Sequence, residues 1–161
     1  MGKTITIALD NKSINRGIKE LQKYKAWITA KEAELRTRLA ALGAQVASVQ
    51  FAGAAYDGLN NVTVRVDDTG SVAVIYAEGS AVAFIEFGAG ARYGDGHPLA
   101  GQFGMGPGTY PDGKGHWESE KGWWYAHGQH SYGNPPAMAM YQAVQKMTEE
   151  ITTIAKEVFS A

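Results

Sequence analysis

The feature that most constrains the fold is a long amphipathic pattern in the first third of the chain. Nine apolar residues recur mostly three or four positions apart: Ile14, Ile18, Leu21, Trp27, Ile28, Leu35, Leu39, Leu42 and Val46. That spacing places them along one face of an α-helix. With Ser13 as its N-cap, the predicted helix runs to about Val49 and is on the order of 50 Å long. Because globular helices are usually shorter, Gly43 is the expected position of a break.

The other face of this predicted helix is charged and mainly basic. Between positions 16 and 38 it carries seven basic residues and three acidic ones, namely Arg16, Lys19, Lys23, Lys25, Lys31, Arg36 and Arg38 against Glu20, Glu32 and Glu34. The whole chain has a formal net charge of −1, so it lacks the overall basic signal of a dedicated DNA-binding protein. We interpret this face as solvated. In the alternative interpretation, Arg16, Lys19 and Lys23 face DNA.

Four short segments predict β-strands. Residues 3–9 and 62–67 alternate apolar and polar side chains, which is typical of half-buried strands. Residues 72–77 and the more continuously apolar 81–87 follow after short polar turns. Turns of this length join antiparallel strands, so we expect one antiparallel sheet of about four strands.

A segment rich in glycine and aromatic residues interrupts this regular pattern. Residues 88–133 carry 13 of the chain's 20 glycines, all four histidines and three of the four tryptophans. A structureless connection of this length is uncommon in a compact domain and is usually functional or disordered, and disordered segments are poor in aromatic residues. Pro135 and Pro136 then fit the first turn of a helix that carries Met138, Tyr141, Val144, Ile151, Ile154 and Val158 at helical spacing.

The predicted fold class is α+β. We expect a single domain over residues 1–161, with the antiparallel sheet packed against the long N-terminal helix and the C-terminal helix, and an irregular insert at 88–134. The chain has no cysteine, which excludes disulfides and thiolate metal sites. No apolar run reaches the ~18 residues of a membrane span and no signal peptide is evident, so we expect no membrane partner and no export.

Four elements follow one another between residues 84 and 141. The first is an apolar run that ends in an acidic-aromatic-glycine sequence at 84–90, and the second is His97-Pro98 in a glycine-bearing loop. The third is the aromatic stretch 122–128, and the fourth is the Pro-rich helix start at 134–141. Their order resembles the minor head–tail connector family of long-tailed bacteriophages, the neck or tail-completion proteins. The long charged helix near the N-terminus also fits that family.

This resemblance implies a structural virion protein of the head–tail junction and not an enzyme. Such a protein is made in the bacterial host cytoplasm and joins or closes the tail end against the head connector. The implied partners are further copies of the chain, in a ring, and other connector, tail-terminator or tail-tube proteins, with transient contact to genome DNA in the channel. No cofactor is expected. The interface residues that we select are Phe87, Trp117, Trp123, Trp124, Tyr125, Met138 and Tyr141, because aromatic residues and Met are enriched at protein interfaces.

Two alternatives remain open from the residues themselves. A small metal-dependent hydrolase acting on cell-wall material would use His116, Glu118, His127 or His130, whose spacings can serve a zinc site. No HExxH motif accompanies them, so polar loop residues are the simpler interpretation. A carbohydrate-binding module would use the tryptophans as a stacking platform, whereas the simplest role for these aromatics is to cover the sheet.

Overall fold

The computed structural model of the chain describes residues 4–56, 58–90, 92–93, 96–105, 121–124 and 128–160. Long helices begin and end this structure, and short strands lie between them. In chain order the elements are α1 (Asn11–Ala52), β1 (Thr63–Asp67), β2 (Val74–Glu78), α2 (Val82–Phe87), a 3₁₀ turn (Ala100–Phe103), β3 (Trp123–Trp124), β4 (His130–Ser131) and α3 (Ala139–Ser160).

Helix α1 is continuous over 42 residues, or about 63 Å. The predicted break at Gly43 is wrong. Gly43 is buried, and a Cβ there would lie 2.6 Å from both Ile75 Cδ1 and Met147 Sδ, so the glycine makes room for two neighbouring side chains. The predicted N-cap is also wrong: the Asp10 carboxylate accepts from the Ser13 amide at 2.8 Å, while the Ser13 hydroxyl accepts from Ala8 N at 2.9 Å.

Helices α1 and α3 run antiparallel. Ala47 and Ala143 are both fully buried in one core cluster, and the rings of Trp27 and Phe159 meet near the end of α3, with their centroids 5.9 Å apart. The residues before Trp27 therefore extend past the last turn of α3. Every residue from position 21 to position 30 is exposed, whereas α1 from position 40 onward supplies much of the core.

Strands β1 and β2 form an antiparallel pair with Thr63 opposite Glu78 and Asp67 opposite Val74, which confirms two of the predicted strands within two residues. The pair lies against α1. The Asp68 carboxylate just after β1 accepts from Arg36 Nε at 2.6 Å and from the Thr37 hydroxyl. These hydrogen bonds, Thr37 first and Arg36 second, hold the pKa of the Asp68 carboxyl below its usual value.

The other two predicted strands are wrong. The described residues of the first, 4–9, lie outside any helix or strand. The segment 81–87 forms helix α2, with Ala81 and Ile85 buried one turn apart. A short, continuously apolar run has no periodicity that separates a strand from a buried helix, and here the surrounding packing favours the helix. The described strands form two antiparallel sheets of two strands each, β1–β2 and β3–β4.

The final helix begins later than the proline pair predicts. Helix α3 starts at Ala139, so Pro135 and Pro136 lie before it and not in its first turn. Met138, the residue just before the helix, has a φ of 53°, which is a left-handed conformation rarely adopted by residues other than glycine. Within the described part of the chain, no helix is long and apolar enough to cross a membrane.

Candidate functional site

Three segments that are distant in sequence meet at the start of α3. They are residues 84–90, residues 97–105 and residues 133–141, which we call the junction. Ala89 and Asn134 form an antiparallel backbone bridge, with Ala89 N donating to Asn134 O at 2.9 Å and Asn134 N donating to Ala89 O at 3.1 Å. The Asn134 side chain also donates to Phe84 O at 2.9 Å. Residues that are about 50 positions apart are thus held together along several residues of backbone.

A buried carboxylate supplies the N-terminal cap of α3. Glu86 Oε2 accepts from Met140 N at 2.9 Å, and Glu86 Oε1 accepts from Tyr141 N at 3.1 Å. The backbone carbonyl of Glu86 accepts from Met138 N at 3.2 Å. The first amides of a helix have no partner within the helix, and the helix dipole favours negative charge beside them. Glu86 meets both needs from helix α2, so the start of α3 depends on a residue far away in sequence.

His97 supports the same carboxylate. Its Nδ1 accepts from Leu99 N at 3.1 Å, so the proton of the neutral ring lies on Nε2, which is 3.3 Å from Glu86 Oε1. The ring is buried and contacts Phe87 and Tyr141, with centroid distances of 4.5 Å and 5.6 Å. His97 therefore joins the 97–105 segment to both α2 and α3.

Gly133 shows why this region requires glycine. Its φ is +93°, and a Cβ at this position would overlap the carbonyl group of Ala89. The close approach of the two backbones at the Ala89–Asn134 bridge thus excludes any side chain there.

The Glu86–His97 pair superficially resembles a catalytic dyad. However, both carboxylate oxygens already accept helix amides, and both ring nitrogens of His97 already have partners. Neither ring nitrogen is left for a substrate. The pair is arranged to position helix α3.

An apolar groove of about 660 Å³ opens beside the junction. Glu86 and His97 lie at its base, and its walls come from α2, the 3₁₀ turn and the outer face of α3. The side chains that dominate these walls are Val82, Phe87, Leu99, Phe103, Tyr141 and Val144. Val144 is 53% exposed and Phe103 is also largely exposed, so the groove is an open surface lined by apolar side chains.

The structure brings together some of the predicted interface residues. Phe87, Met138 and Tyr141 are partly buried at the junction, where Phe87 also contacts Phe103 at a centroid distance of 5.5 Å. Trp123 and Trp124 form β3, and Trp124 is 71% exposed. Trp117 and Tyr125 lie outside the described residues.

The predicted DNA-facing residues are all on the exposed N-terminal part of α1. Arg16 and Lys19 line one hollow with Lys12, and Lys23 forms an exposed ion pair with Glu20 at 3.3 Å. They lie far from the junction, since α3 ends near Trp27. The structure thus keeps the basic residues and the interface aromatics in separate places.

The candidate metal ligands are only partly visible. His116, Glu118 and His127 lie outside the described residues. His130 packs edge-on against Trp124 and Tyr132, with ring centroids 4.6 Å and 4.5 Å apart. Across the described ranges, no group of three histidine or acidic residues could hold a metal ion.

The sequence interpretation missed the roles of Glu86 and His97. Both were noted as parts of a motif, but neither was assigned a contact. The one local signal is an acidic residue within the apolar run 84–87, because a carboxylate is rarely buried without partners. Comparisons of the chain with models of protein families, with curated proteins and with solved structures found no match.

Proposed function

We propose that this chain is a structural virion protein of the head–tail junction of a long-tailed bacteriophage. It is made in the host cytoplasm and is incorporated into the particle, where it joins or closes the tail end against the head connector. It works as a homo-oligomer, in a ring, and its neighbours are other connector, tail-terminator or tail-tube proteins. It acts through its surfaces, without a cofactor and without catalysis.

The observation that carries this proposal is the construction of the junction. Three of the four elements on which the resemblance rests, at 84–90, 97–98 and 134–141, are hydrogen-bonded to one another there. Their polar groups are used to hold α2, the 97–105 segment and the start of α3 in place. Because the polar groups of the junction hold the fold together, they favour a structural role over a catalytic one. The groove and the exposed aromatic side chains beside them are then available for contact with other proteins.

A contact with genome DNA is part of the proposal. Arg16, Lys19 and Lys23 are exposed on one side of the part of α1 that extends past the last turn of α3. Phosphate contacts of this kind depend on charge and weaken with added salt.

The experiment compares phage particles assembled with and without this protein. A phage that carries an early stop codon in the gene is grown, and its lysate is separated on a sucrose gradient and imaged by electron microscopy. We expect DNA-filled heads and separate tails, which join when the purified protein is added back. Normally joined, infectious particles without the protein would contradict the proposal.

A further inference from the structure

The N-terminal part of α1 has an apolar face that the described residues cover only in part: Ile7 lies against Gly17, and Phe159 meets Trp27. We call residues 11–30 the open half. Its stripe residues Ile18 and Leu21 are 47% and 54% exposed, and Ile14 and Ile28 are also exposed. The same stripe continues into Leu35, Leu39, Leu42 and Val46, which are all partly buried. A helix of this length owes most of its stability to tertiary packing of its apolar face, so the open half lacks the cover that the rest of α1 has.

The chain cannot cover this face with its own groove. The groove is lined by Val144, and the preceding residue, Ala143, lies in the core cluster with Ala47 of α1. Ala47 is 26 residues from Leu21 along a continuous helix, a separation of about 39 Å. The open half and the groove are therefore at opposite ends of the molecule, and only another molecule can bring them together.

Charge is divided unevenly between the N-terminal segment and the rest of the chain. Residues 1–31 carry seven basic and two acidic residues, a net charge of +5, whereas residues 32–161 carry eight basic and fourteen acidic residues, a net charge of −6. Two open halves packed against each other would bring like charges together. They would also place Lys25 in the seam: the sequence pattern assigned it to the charged face, but it lies four residues after Leu21 and three before Ile28, on the stripe. Contact between the open half of one copy and the remainder of another is favoured instead.

We propose that the open half of α1 docks into the groove of a second copy of this chain. Ile18 and Leu21 enter between Phe103 and Val144, and the Lys25 side chain extends toward Glu149, one turn beyond Gln145 on the rim of the groove. The contact joins two different surfaces, so it repeats from copy to copy and closes into a ring or continues as a filament. This inference rests on the self-assembly in the proposed function and names the surfaces that carry it.

The test uses the absence of cysteine in the natural chain. A Leu21→Cys, Val144→Cys double variant of the full chain is oxidised and run on a non-reducing gel. We expect a ladder of covalent oligomers that forms on the order of tenfold faster than any product of either single variant, because docking raises the effective thiol concentration. Ile18→Cys with Leu99→Cys repeats the test at a second pair of positions. Lys23→Cys with Val144→Cys is the matched control, because Lys23 lies on the face opposite the stripe.

Each outcome supports or overturns the contact. Dimers that form equally fast from Leu21→Cys alone would show two open halves packed together and would overturn it. If light scattering detects oligomers but neither cysteine pair gives a ladder on the gel, the chain assembles through other surfaces. That result would overturn this contact without contradicting the proposed function. A chain that stays monomeric at all concentrations would also overturn the contact, and binding of its open half to anionic phospholipid vesicles that Leu21→Asp abolishes would then identify a lipid surface as the occupant of this face. A ladder in vitro combined with normal joined particles without the protein would overturn the proposed function alone.

Discussion

The two halves of α1 carry one apolar stripe in two different environments. In the C-terminal half, Ala47 and Phe51 are buried against α2 and α3, and the helix contributes to the core. In the open half, Ile18 and Leu21 continue the stripe and remain about half exposed. Within the described structure, the difference comes from α3, whose 22 residues end beside Trp27. A helix pattern thus fixes which residues share a face, whereas the partner of that face depends on the rest of the fold.

The junction adds a second contrast with the open half. At the junction, polar groups from three segments satisfy one another, and Glu86 binds the first amides of α3. In the open half, the described polar contacts are local, such as the Asp10 cap and the Lys23–Glu20 ion pair. We therefore expect substitutions in the covered regions to change folding, and substitutions in the open half to change assembly.

The largest expected effect is that of Ala47→Asp. This substitution places an unpaired carboxylate in the core beside Phe51, and we expect a loss of about 4 kcal/mol or more in the free energy of unfolding. Urea denaturation followed by circular dichroism measures it. Ser48→Asp, at the next and exposed position, is the control and should change stability little. Equal stability of the two variants would mean that α3 does not cover this half of α1.

Removal of the remote cap should have the next largest effect. Glu86→Ala leaves the amides of Met140 and Tyr141 without their acceptor and His97 without its partner, and we expect a loss of about 3 kcal/mol. Glu86→Gln keeps one acceptor oxygen and should lose less. The same urea titration compares the two variants. If both variants are as stable as the original chain, Glu86 does not hold the start of α3.

A smaller loss of stability is expected for Asp68→Asn. This substitution weakens the hydrogen bonds that hold the β1–β2 pair against the covered half of α1. Thr37 and Arg36 hold the pKa of the Asp68 carboxyl below its usual value, so its contribution is present above the unfolded-state pKa of about 3.9. That contribution is lost as the pH falls through the lower folded-state pKa. Melting temperatures of both proteins at pH 7 and pH 3 measure this. The difference in melting temperature between the variant and the original chain should be smaller at pH 3 than at pH 7. An equal difference at both pH values would contradict the stabilising role of the Asp68 carboxylate.

The smallest effect on folding is expected for Leu21→Asp in the open half. An exposed position far from other features changes the free energy of unfolding by no more than about 0.5 kcal/mol. The same substitution places a charge in the proposed contact and should weaken self-association on the order of 100-fold. Urea denaturation and analytical ultracentrifugation measure the two quantities on one sample. Lys23→Asp, on the opposite face, is the control for a change of charge alone. If Leu21→Asp instead lowers the free energy of unfolding and leaves self-association unchanged, the open half contributes to folding and not to assembly.

The sequence was most informative where a pattern is long. The stripe from Ile14 to Val46 predicts a helix because its spacing persists over many turns. Over shorter stretches the pattern is less decisive: alternation correctly predicts β1 at 62–67, but the described residues of the same alternation at 3–9 do not form a strand. Helix α2 has only six residues, which is too short for a period to decide its type. Asp10 and Ser13 are both good N-caps, and the choice between them depends on the hydrogen bond from Ala8 to Ser13.

The junction could be predicted only in part. Its three segments are recognisable in sequence as a set, but their contacts span up to 55 positions. No local rule connects Glu86 to the first amides of α3, because helix caps are normally sought within a few residues of the helix start. The left-handed φ of Met138 and the close approach at Gly133 also follow from this long-range contact and not from the neighbouring residues.

Hydrogen exchange of α1 in the free chain and in the assembled protein tests the central claim most directly. Backbone amides at 14–28 should exchange rapidly in dilute monomer and become protected on assembly, while amides at 40–51 and 139–147 should be protected in both states. Such a result would show that the surface covered on assembly is the open half of α1. Equal protection of the 14–28 amides in the two states would contradict the account.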